Sequence, residues 1–346
     1  MTTSLWTSRS PGLVRAALVP SGLLFRAAAA LRQQVYAAGL KRRYRPPVPT
    51  ICVGNLSVGG TGKTPLTQWV ARFALRRGIR PAVLLRGHGG DEEMLHRSAL
   101  PGVVVVADPD RPRGARQTVS EGAETLILDD GFQRFDLLRD LDLVLVSADA
   151  ADAVRWPLPA GPWREPWSAL RRADVVIVTR KAASDDDVER TVNRVAGQRG
   201  GAPVAVAWLS LGRFEGLSTG RQVPADELAG RRVLAVAGIG DPRAFRRQLE
   251  ALGALVELAA RPDHYRYPES DVRRLYHAAT RVDYVVLTAK DAVKLKTRWP
   301  AAAPEPLVAG LRVTWERGRA AFEGALAHAF TAPAAHGRRV GGGRRT

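Results

Sequence analysis

The sequence SVGGTGKTP at residues 57–65 decides the class of fold. It follows an apolar run at 51–54 and precedes a helical pattern that ends near Gly78. A strand, a glycine-rich loop and a helix in this order are typical of a loop whose backbone N–H groups bind phosphate. The stretch fits the end of the pattern G-x-x-x-x-G-K-[ST], although Ser57 stands at the position of the first glycine. It therefore predicts an α/β protein that binds a nucleotide.

The residues of this loop have separate predicted roles. The glycines permit a tight backbone path, and Lys63 would reach the β- and γ-phosphates. Thr64 would offer its hydroxyl to Mg²⁺, and Pro65 is tolerated in the first turn of the following helix. The predicted nucleotide-binding residues are Ser57, Val58, Gly59, Gly60, Thr61, Gly62, Lys63, Thr64 and Pro65.

Acidic residues follow two further apolar runs. The run at 125–128 ends in Asp129 and Asp130, which we expect to bind Mg²⁺ together with Thr64, although two aspartates alone could also form a turn. The run at 81–85 leads into Asp91. Loops at the carboxyl ends of parallel strands bind ligands, so Asp91 is a candidate general base, with an ordinary surface acid as the alternative.

The positive charge is concentrated at the N-terminus. The net charge is +18, and no Asp or Glu precedes Asp91, whereas fourteen Lys and Arg do. An arginine-rich composition alone does not explain the missing acids. The asymmetry predicts an anionic partner, which could be a nucleic acid, a membrane surface or an acidic substrate.

Residues 12–40 are rich in Leu and Ala, but their longest uncharged run is about ten residues, and a bilayer span needs about 20. We predict a helix that is capped by Ser21 and stopped by Gly39. Basic residues follow at 41–45. Such a helix either lies in a membrane interface or packs on the protein core. The positions on its apolar face are Leu24, Ala28, Leu31 and Val35.

Apolar runs that alternate with helical stretches predict a mainly parallel sheet covered on both faces. The expected strands of the first unit include 103–106, 141–146, 175–179 and 204–208. A second, smaller α/β unit is expected to contain strands at 233–237, 254–258 and 284–288.

Taken in order, these motifs resemble the tetraacyldisaccharide 4'-kinase family, the lipid A 4'-kinases of Gram-negative bacteria. The run VGNLSVGGTGKTP at 53–65 is similar to the phosphate loop of that family, and the resemblance covers roughly residues 20–315. The other matching blocks are RGHGG (86–90), GDEE (90–93), DR (110–111), DDGFQ (129–133), LPAGPWRE (158–165), AGIGDPRAF (237–245), PDHY (262–265) and TAKDAVKL (288–295).

The resemblance implies that ATP with Mg²⁺ donates its γ-phosphoryl group to the 4'-hydroxyl of a tetraacylated glucosamine disaccharide 1-phosphate. The product would be lipid IVA, the precursor of lipid A in lipopolysaccharide biosynthesis. It also implies that Asp91 and His264 form a catalytic pair, with Lys63 neutralising charge on the transferred group. The residues expected to contact the substrate are Asn55, Arg86, Arg111, Gln133, Arg164 and Glu165.

The resemblance also implies where the protein works. Its substrate would be an anionic lipid, so we expect the helix at 21–39 to bind the cytoplasmic face of the bacterial inner membrane as a peripheral or monotopic element. We expect no nucleic-acid partner and no obligate protein partner. The alternatives are a phosphate-loop ATPase or GTPase that drives a protein partner, and a nucleic-acid-binding ATPase; neither predicts PDHY or LPAGPWRE.

The chain departs from the family pattern near the predicted site. His88 stands where Tyr is usual, Arg134 where His is common, and Ala289 where Glu is usual. The blocks RGHGG and GDEE share Gly90, which shortens the loop before Asp91.

The sequence divides into four predicted parts. These are a basic amphipathic membrane-interface segment at 1–45, a phosphate-loop kinase domain at 46–209, a smaller α/β domain at 210–330 and a disordered tail at 331–346. We expect the last part of the smaller domain to pack back on the first.

Overall fold

The computed structural model describes residues 12–87, 90–150, 156–199 and 203–331. Several predictions concern residues outside these ranges. They include the first eleven residues of the predicted membrane segment, His88 and all but the first residue of the predicted tail.

Helices and strands alternate along most of the described chain. In order, the elements are α1 (Gly12–Ala37), β1 (Thr50–Asn55), α2 (Lys63–Leu75), β2 (Pro81–Leu85), α3 (Asp91–Ala99), β3 (Val104–Ala107), α4 (Arg111–Ser120), β4 (Thr125–Asp129), β5 (Leu141–Ser147), β6 (Val175–Arg180), α5 (Asp185–Arg199), β7 (Val204–Gly216), β8 (Gln222–Val223), β9 (Arg232–Ala237), α6 (Pro242–Ala251), β10 (Leu255–Ala260), α7 (Glu269–Ala279), β11 (Tyr284–Thr288), α8 (Ala289–Leu295), β12 (Leu307–Arg317) and α9 (Arg319–Thr331).

The first group of strands forms a parallel array, which we call the N-terminal sheet half. Its order is β7-β6-β5-β1-β4-β2-β3, and every neighbouring pair in it is parallel. Strands β1, β2 and β4 are buried along their whole length, as expected for a parallel sheet covered on both faces. The predicted α/β class and mainly parallel sheet are confirmed.

The remaining long strands form the C-terminal sheet half, with the parallel order β10-β9-β11-β12. Strand β12 pairs antiparallel with β7, so the two halves join into one sheet while their strands run in opposite directions. We did not predict β12 from the sequence. It contains Gly310 and several charged residues, and most of its positions are exposed or half-buried, so it lacks the apolar run of the other strands.

The boundary predicted between residues 209 and 210 falls inside β7. The two cores of the N-terminal sheet half extend along β7 as far as Ala207, and a core of the C-terminal half begins at Leu211. The last helix, α9, inserts Phe322 and Leu326 into the core beneath β1 and α2. The division into two domains stays a prediction.

Helix α1 differs from the prediction at its start and agrees with it at its end. It already includes Gly12, and Ser21 lies inside it, donating its hydroxyl to the carbonyl of Leu18 at 2.8 Å, so the predicted cap is wrong. The helix ends as predicted at Gly39, whose φ of 73° reverses the chain. The N–H of Leu40 then bonds to the carbonyl of Val35 at 3.1 Å, which completes a helix-ending motif.

Helix α1 leaves much of its apolar surface uncovered. Gly22 is its buried contact point, because a Cβ there would lie 3.2 Å from Pro157. By contrast, Leu24 is 72% exposed and Leu31 is 62% exposed. Within the described ranges, no helix has the length and apolar character needed to cross a bilayer.

The close approach of β1 to the DDGFQ segment yields a test of the packing. A Cβ on Gly54 would lie 2.5 Å from the Cβ of Phe132, which is buried, so Gly54→Ala should lower the free energy of unfolding by about 1–3 kcal/mol. The control is Gly197→Ala in α5, where a Cβ would meet no atom within 4 Å. This substitution should raise the free energy of unfolding by about 0.5–1 kcal/mol. Urea unfolding measures both. A Gly54→Ala variant as stable as the wild type would contradict this packing.

Candidate active site

The predicted phosphate loop, which we call the phosphate loop, connects β1 to α2 at the carboxyl end of β1. Two of its glycines have left-handed backbone conformations, Gly59 with φ 120° and Gly62 with φ 96°. Gly62 is the N-cap of α2, and a Cβ there would lie 2.2 Å from the Leu209 side chain in β7. The backbone conformation therefore requires glycine at this position, and a larger residue would also displace the Leu209 side chain.

Buried hydrogen bonds hold the loop from behind. The amide of Asn55 donates to the Thr61 hydroxyl at 2.9 Å, and the Thr179 hydroxyl donates to the Thr61 carbonyl at 2.8 Å. The N–H of Val58 donates to the carbonyl of Pro162 at 2.8 Å. Asn55, which we assigned to the substrate, is fully buried and supports the loop in this structure.

Asp130 forms ion pairs with Lys63 and Arg164 beside the phosphate loop. Its Oδ1 lies 3.6 Å from the Lys63 ammonium, and both of its oxygens lie 2.7 Å from Nη1 of Arg164. Burial would raise the pKa of Asp130, but Lys63 and Arg164 outweigh burial and lower the pKa to about 2. Asp130 is therefore an ionised carboxylate at neutral pH.

Asp129 has a different environment at the end of β4. Its Oδ2 accepts a hydrogen bond of 2.8 Å from Nε2 of His96, which is fully buried. Its Oδ1 is buried and has no hydrogen-bond partner among the described residues. A buried carboxylate oxygen without a partner is costly unless a ligand satisfies it, and carboxylate and hydroxyl oxygens are the ligands that Mg²⁺ prefers. The free Oδ1 of Asp129 and the neighbouring Asp130 and Thr64 therefore offer oxygen ligands of the kind that the predicted metal ion prefers. The described residues contain no group of three or more His, Cys, Asp or Glu that could hold a metal ion by themselves.

Asp91 and His264 meet although they are far apart in sequence. Asp91 is the first residue of α3, and each of its carboxylate oxygens lies 3.1 Å from Nδ1 of His264. Because a carboxylate only accepts, Nδ1 carries the hydrogen, and Nε2 is left to accept from the Lys290 ammonium at 3.2 Å. The structure thus brings together the two residues that the resemblance paired.

Two lysines of α8 set the charge of Asp91. The ammonium groups of Lys294 and Lys290 lie 3.1 Å and 3.8 Å from its Oδ2. Burial would raise the pKa of Asp91, but Lys290 and Lys294 outweigh burial and lower the pKa below its ordinary value. Both lysines belong to the TAKDAVKL block, and their contact with Asp91 was not predicted from the sequence.

Glu92 lies between the two groups of charges. Burial and the Asp129 carboxylate raise its pKa, while Lys290, Lys63 and His264 oppose the rise. The adjacency of the two sites is visible in the contacts of α3. This helix begins at Asp91 and contacts Asp129 through His96, and the next residue, Asp130, pairs with Lys63. The predicted nucleotide site and the Asp91–His264 pair therefore lie side by side, and we call the region between them the cleft. Sequence reasoning missed Glu92, although its position next to Asp91 was a signal.

A buried network lies beside His264, in a segment with an unusual backbone conformation. His264 has a φ of 60°, and the nearby Tyr267 a φ of 47°, which are uncommon values for residues other than glycine. The carboxylate of Asp291 accepts from the Tyr267 hydroxyl at 2.8 Å, the Gly238 N–H at 2.8 Å and the Thr288 hydroxyl at 2.6 Å. These bonds join Tyr267, two residues after the PDHY block, to the TAKD and AGIGD segments.

The AGIGD segment reaches across the cleft to the phosphate loop. A Cβ on Gly240 would lie 3.3 Å from the backbone nitrogen of Gly60. The ammonium group of Lys181, which follows β6, donates a hydrogen bond to the carbonyl of Gly60. Burial lowers the pKa of Lys181. Residues from both sheet halves therefore surround the loop.

The other predicted substrate residues differ in their exposure. Arg86 is exposed next to the shortened loop. Arg111 is only 2% exposed and donates to the carbonyls of Asp108 and Asp129, so it supports the chain at Asp129. Burial lowers the pKa of Arg111 to about 10.

The LPAGPWRE segment joins the DDGFQ segment through side chains. Gln133 donates its amide to Glu165 at 2.9 Å and to the carbonyl of Asn55 at 2.8 Å, and Arg172 pairs with Glu165 at 2.6 Å. Two positions that depart from the family pattern are also defined: Arg134 pairs with Asp136 at 2.6 Å, and Ala289 begins α8.

Residues 14–98 and 88–331 match the family described as Tetraacyldisaccharide-1-P 4'-kinase. The two matching segments overlap at 88–98, where the RGHGG and GDEE blocks share Gly90.

Relatives of known name cover most of the chain. The tetraacyldisaccharide 4'-kinase of Syntrophus aciditrophicus (strain SB) is 38% identical over 325 residues, covering 82% of this chain and 84% of the relative. That of Anaeromyxobacter dehalogenans (strain 2CP-C) is 39% identical over 358 residues, covering 94% of each. The crystal structure of "apo" form LpxK from Aquifex aeolicus in complex with ATP is similar with a TM-score of 0.71 and 29% identity, covering 92% of this chain and 99% of that one.

Proposed function

The chain belongs to the tetraacyldisaccharide-1-P 4'-kinase family, and from this premise we propose how its residues transfer the γ-phosphoryl group of ATP to the 4'-hydroxyl of tetraacyldisaccharide 1-phosphate. The product is lipid IVA. The observation that carries the proposed mechanism is the contact of Asp91 with His264 at 3.1 Å. Asp91 begins the helix that also contacts Asp129 through His96, and Asp130 beside it pairs with Lys63 of the loop.

The phosphate loop binds ATP through its backbone N–H groups. Gly59 and Gly60 are exposed at the loop, and Lys63 stands at the first residue of α2. Lys63 neutralises charge that develops on the transferred phosphoryl group. Asp130, held in turn by Arg164, keeps the Lys63 ammonium at the mouth of the loop.

Thr64, Asp129 and Asp130 would hold Mg²⁺. The partnerless Oδ1 of Asp129 supports this assignment. The ion, when bound, supplies positive charge close to the phosphates.

Asp91 is the general base that accepts the proton of the acceptor hydroxyl. Its lowered pKa keeps it ionised at neutral pH, and the Nδ1–H of His264 fixes the direction of the carboxylate. Asp91 is 3% exposed, so a hydroxyl can reach it only after the covering groups move. His264 and Lys294 come from the C-terminal sheet half, so we propose that opening of the cleft between the halves admits the substrate.

Helix α1 places the enzyme on its substrate's membrane. Its exposed Leu24 and Leu31 would enter the apolar boundary of the bilayer, while the basic residues at 41–45 would contact anionic headgroups. We therefore propose a peripheral or monotopic protein on the cytoplasmic face of the inner membrane.

The reaction is tested by transfer of labelled γ-phosphate from ATP to tetraacyldisaccharide 1-phosphate in detergent micelles. Lys63→Ala should abolish the labelled lipid, and Asp91→Asn should lower kcat by about 10²–10⁴-fold because the proton acceptor is lost. His264→Ala should also lower kcat, whereas the exposed His328→Ala is the control and should leave it unchanged. Labelled phosphate released only to water would instead favour an ATPase that drives a protein partner.

The role of Asp91 as base predicts a change in pH dependence. Removing the ammonium in Lys294→Met should raise the pKa of Asp91, so the acid limb of the kcat/KM profile should move to higher pH by about one unit. Lys296→Met removes an exposed lysine of the same segment and should leave the limb in place. If both profiles coincide with that of the wild type, a group other than Asp91 sets the limb.

The membrane assignment predicts a loss of vesicle binding. Leu24→Glu combined with Leu31→Glu places charge on the exposed apolar face and should reduce binding to vesicles that contain phosphatidylglycerol by about tenfold or more. Flotation at low salt measures the bound fraction. The control is Leu255→Glu, at an exposed leucine of β10, and unchanged flotation of the double variant would reject the assignment.

A further inference from the structure

His96 is a fully buried histidine that the mechanism above does not use. We propose that His96 is a positioning residue, which fixes the carboxylate of Asp129 so that its Oδ1 is presented to Mg²⁺. This inference rests on the proposed metal site at Thr64, Asp129 and Asp130.

The hydrogen bond has one possible direction. The Nε2 atom of His96 lies 2.8 Å from Oδ2 of Asp129, and the side chains are 0% and 4% exposed. Because an ionised carboxylate only accepts, Nε2 carries the hydrogen and donates it. The other ring nitrogen, Nδ1, has no hydrogen-bond partner among the described residues. The interaction with Asp129 is thus the one hydrogen bond that the described structure gives this imidazole.

A buried imidazole at this position lowers the stability of the fold unless its hydrogen bond offsets the cost of desolvation. Burial removes the ring from water, and one of its two nitrogens stays unsatisfied. An apolar side chain of similar volume would avoid that cost. The benefit of histidine here is the donor at Nε2, which satisfies one oxygen of a carboxylate that is itself buried.

The bond determines which oxygen of Asp129 remains available. With Oδ2 held by His96, the carboxylate cannot rotate without breaking a buried hydrogen bond, and Oδ1 stays without a partner. The backbone at Asp129 is held separately, because Nη2 of Arg111 donates to its carbonyl at 3.2 Å. Hydrogen bonds to carboxylates that bind a metal ion orient them, and their loss typically lowers metal affinity 10–100-fold.

The position of His96 also couples the metal site to the base. Helix α3 begins with Asp91 and carries His96 five residues later, a separation of roughly 7.5 Å along the helix axis. One short rigid element therefore sets the distance between the group that receives the proton and the group that orients the metal carboxylate.

The inference is tested by titration with mant-AMP-PNP, a fluorescent analogue of ATP that is not hydrolysed. Its Kd is measured with EDTA and at increasing Mg²⁺ concentrations. His96→Phe and His96→Leu remove the donor and should weaken the Mg²⁺-dependent gain in affinity about tenfold, with the Kd in EDTA unchanged. His96→Gln can place an amide N–H near the position of Nε2 and should restore the gain to within about threefold of the wild type.

The reference variant Asp129→Asn separates the two proposals, and thermal unfolding identifies the folded variants. His277→Phe, at an exposed histidine of α7, is the control and should behave as wild type. If Asp129→Asn reduces the gain but the donor-free variants do not, the role of His96 is overturned and the metal site stands. If His96→Gln fails to restore the gain, the hydrogen bond is not the cause. If Asp129→Asn has no effect, the metal site and the role of His96 both fail.

Discussion

The antiparallel pairing of β7 with β12 determines how the two sheet halves meet. Strand β6 pairs with residues 204–208 at the start of β7. Strand β11 pairs with residues 307–309 of β12, and these three residues pair with residues 214–216 at the end of β7. The C-terminal sheet half is therefore displaced by about nine residues along β7, or roughly 30 Å. Because its strands run in the opposite direction, the carboxyl ends of both halves point toward each other. The cleft lies between these ends.

The chemistry of the site follows from this arrangement, because loops at the carboxyl ends of parallel strands carry ligand-binding residues. Strands β1, β2 and β4 lead into the phosphate loop, Asp91 and Asp129, while β9, β10 and β11 lead into the AGIGD, PDHY and TAKD segments. Residues separated by more than 170 positions, such as Asp91 and His264, thereby come into contact. Because His264 and Lys294, which contact the buried Asp91, come from the opposite sheet half, the proposed opening between the halves would uncover the base.

Features that depend on a few neighbouring residues could be predicted from the sequence, whereas features that depend on tertiary contacts could not. Apolar runs located the parallel strands, and glycine spacing predicted a phosphate loop after β1, because both signals lie within a few residues. Strand β12 was missed because its exposed face and Gly310 interrupt the apolar pattern. Ser21 was misread as a cap because its hydroxyl bonds to a carbonyl within the helix. His96 had no local signal, since its partner lies 33 residues away on another element.

The three site aspartates differ in how their charge is balanced. Asp91 is paired with Lys290 and Lys294, and Asp130 with Lys63 and Arg164. Asp129, in the part of the chain that the structure describes, receives a hydrogen bond from His96 but forms no ion pair with a lysine or arginine. The buried Arg111 interacts electrostatically with Asp129, but it donates to the backbone carbonyl and not to the carboxylate. A buried carboxylate without a direct ion pair is less stable, since its charge is desolvated. Of the three positions, Asp129 is therefore the one whose carboxylate lacks a direct ion pair in the described structure, and this is why we propose that it binds the metal ion and joins the nucleotide to the core of the sheet.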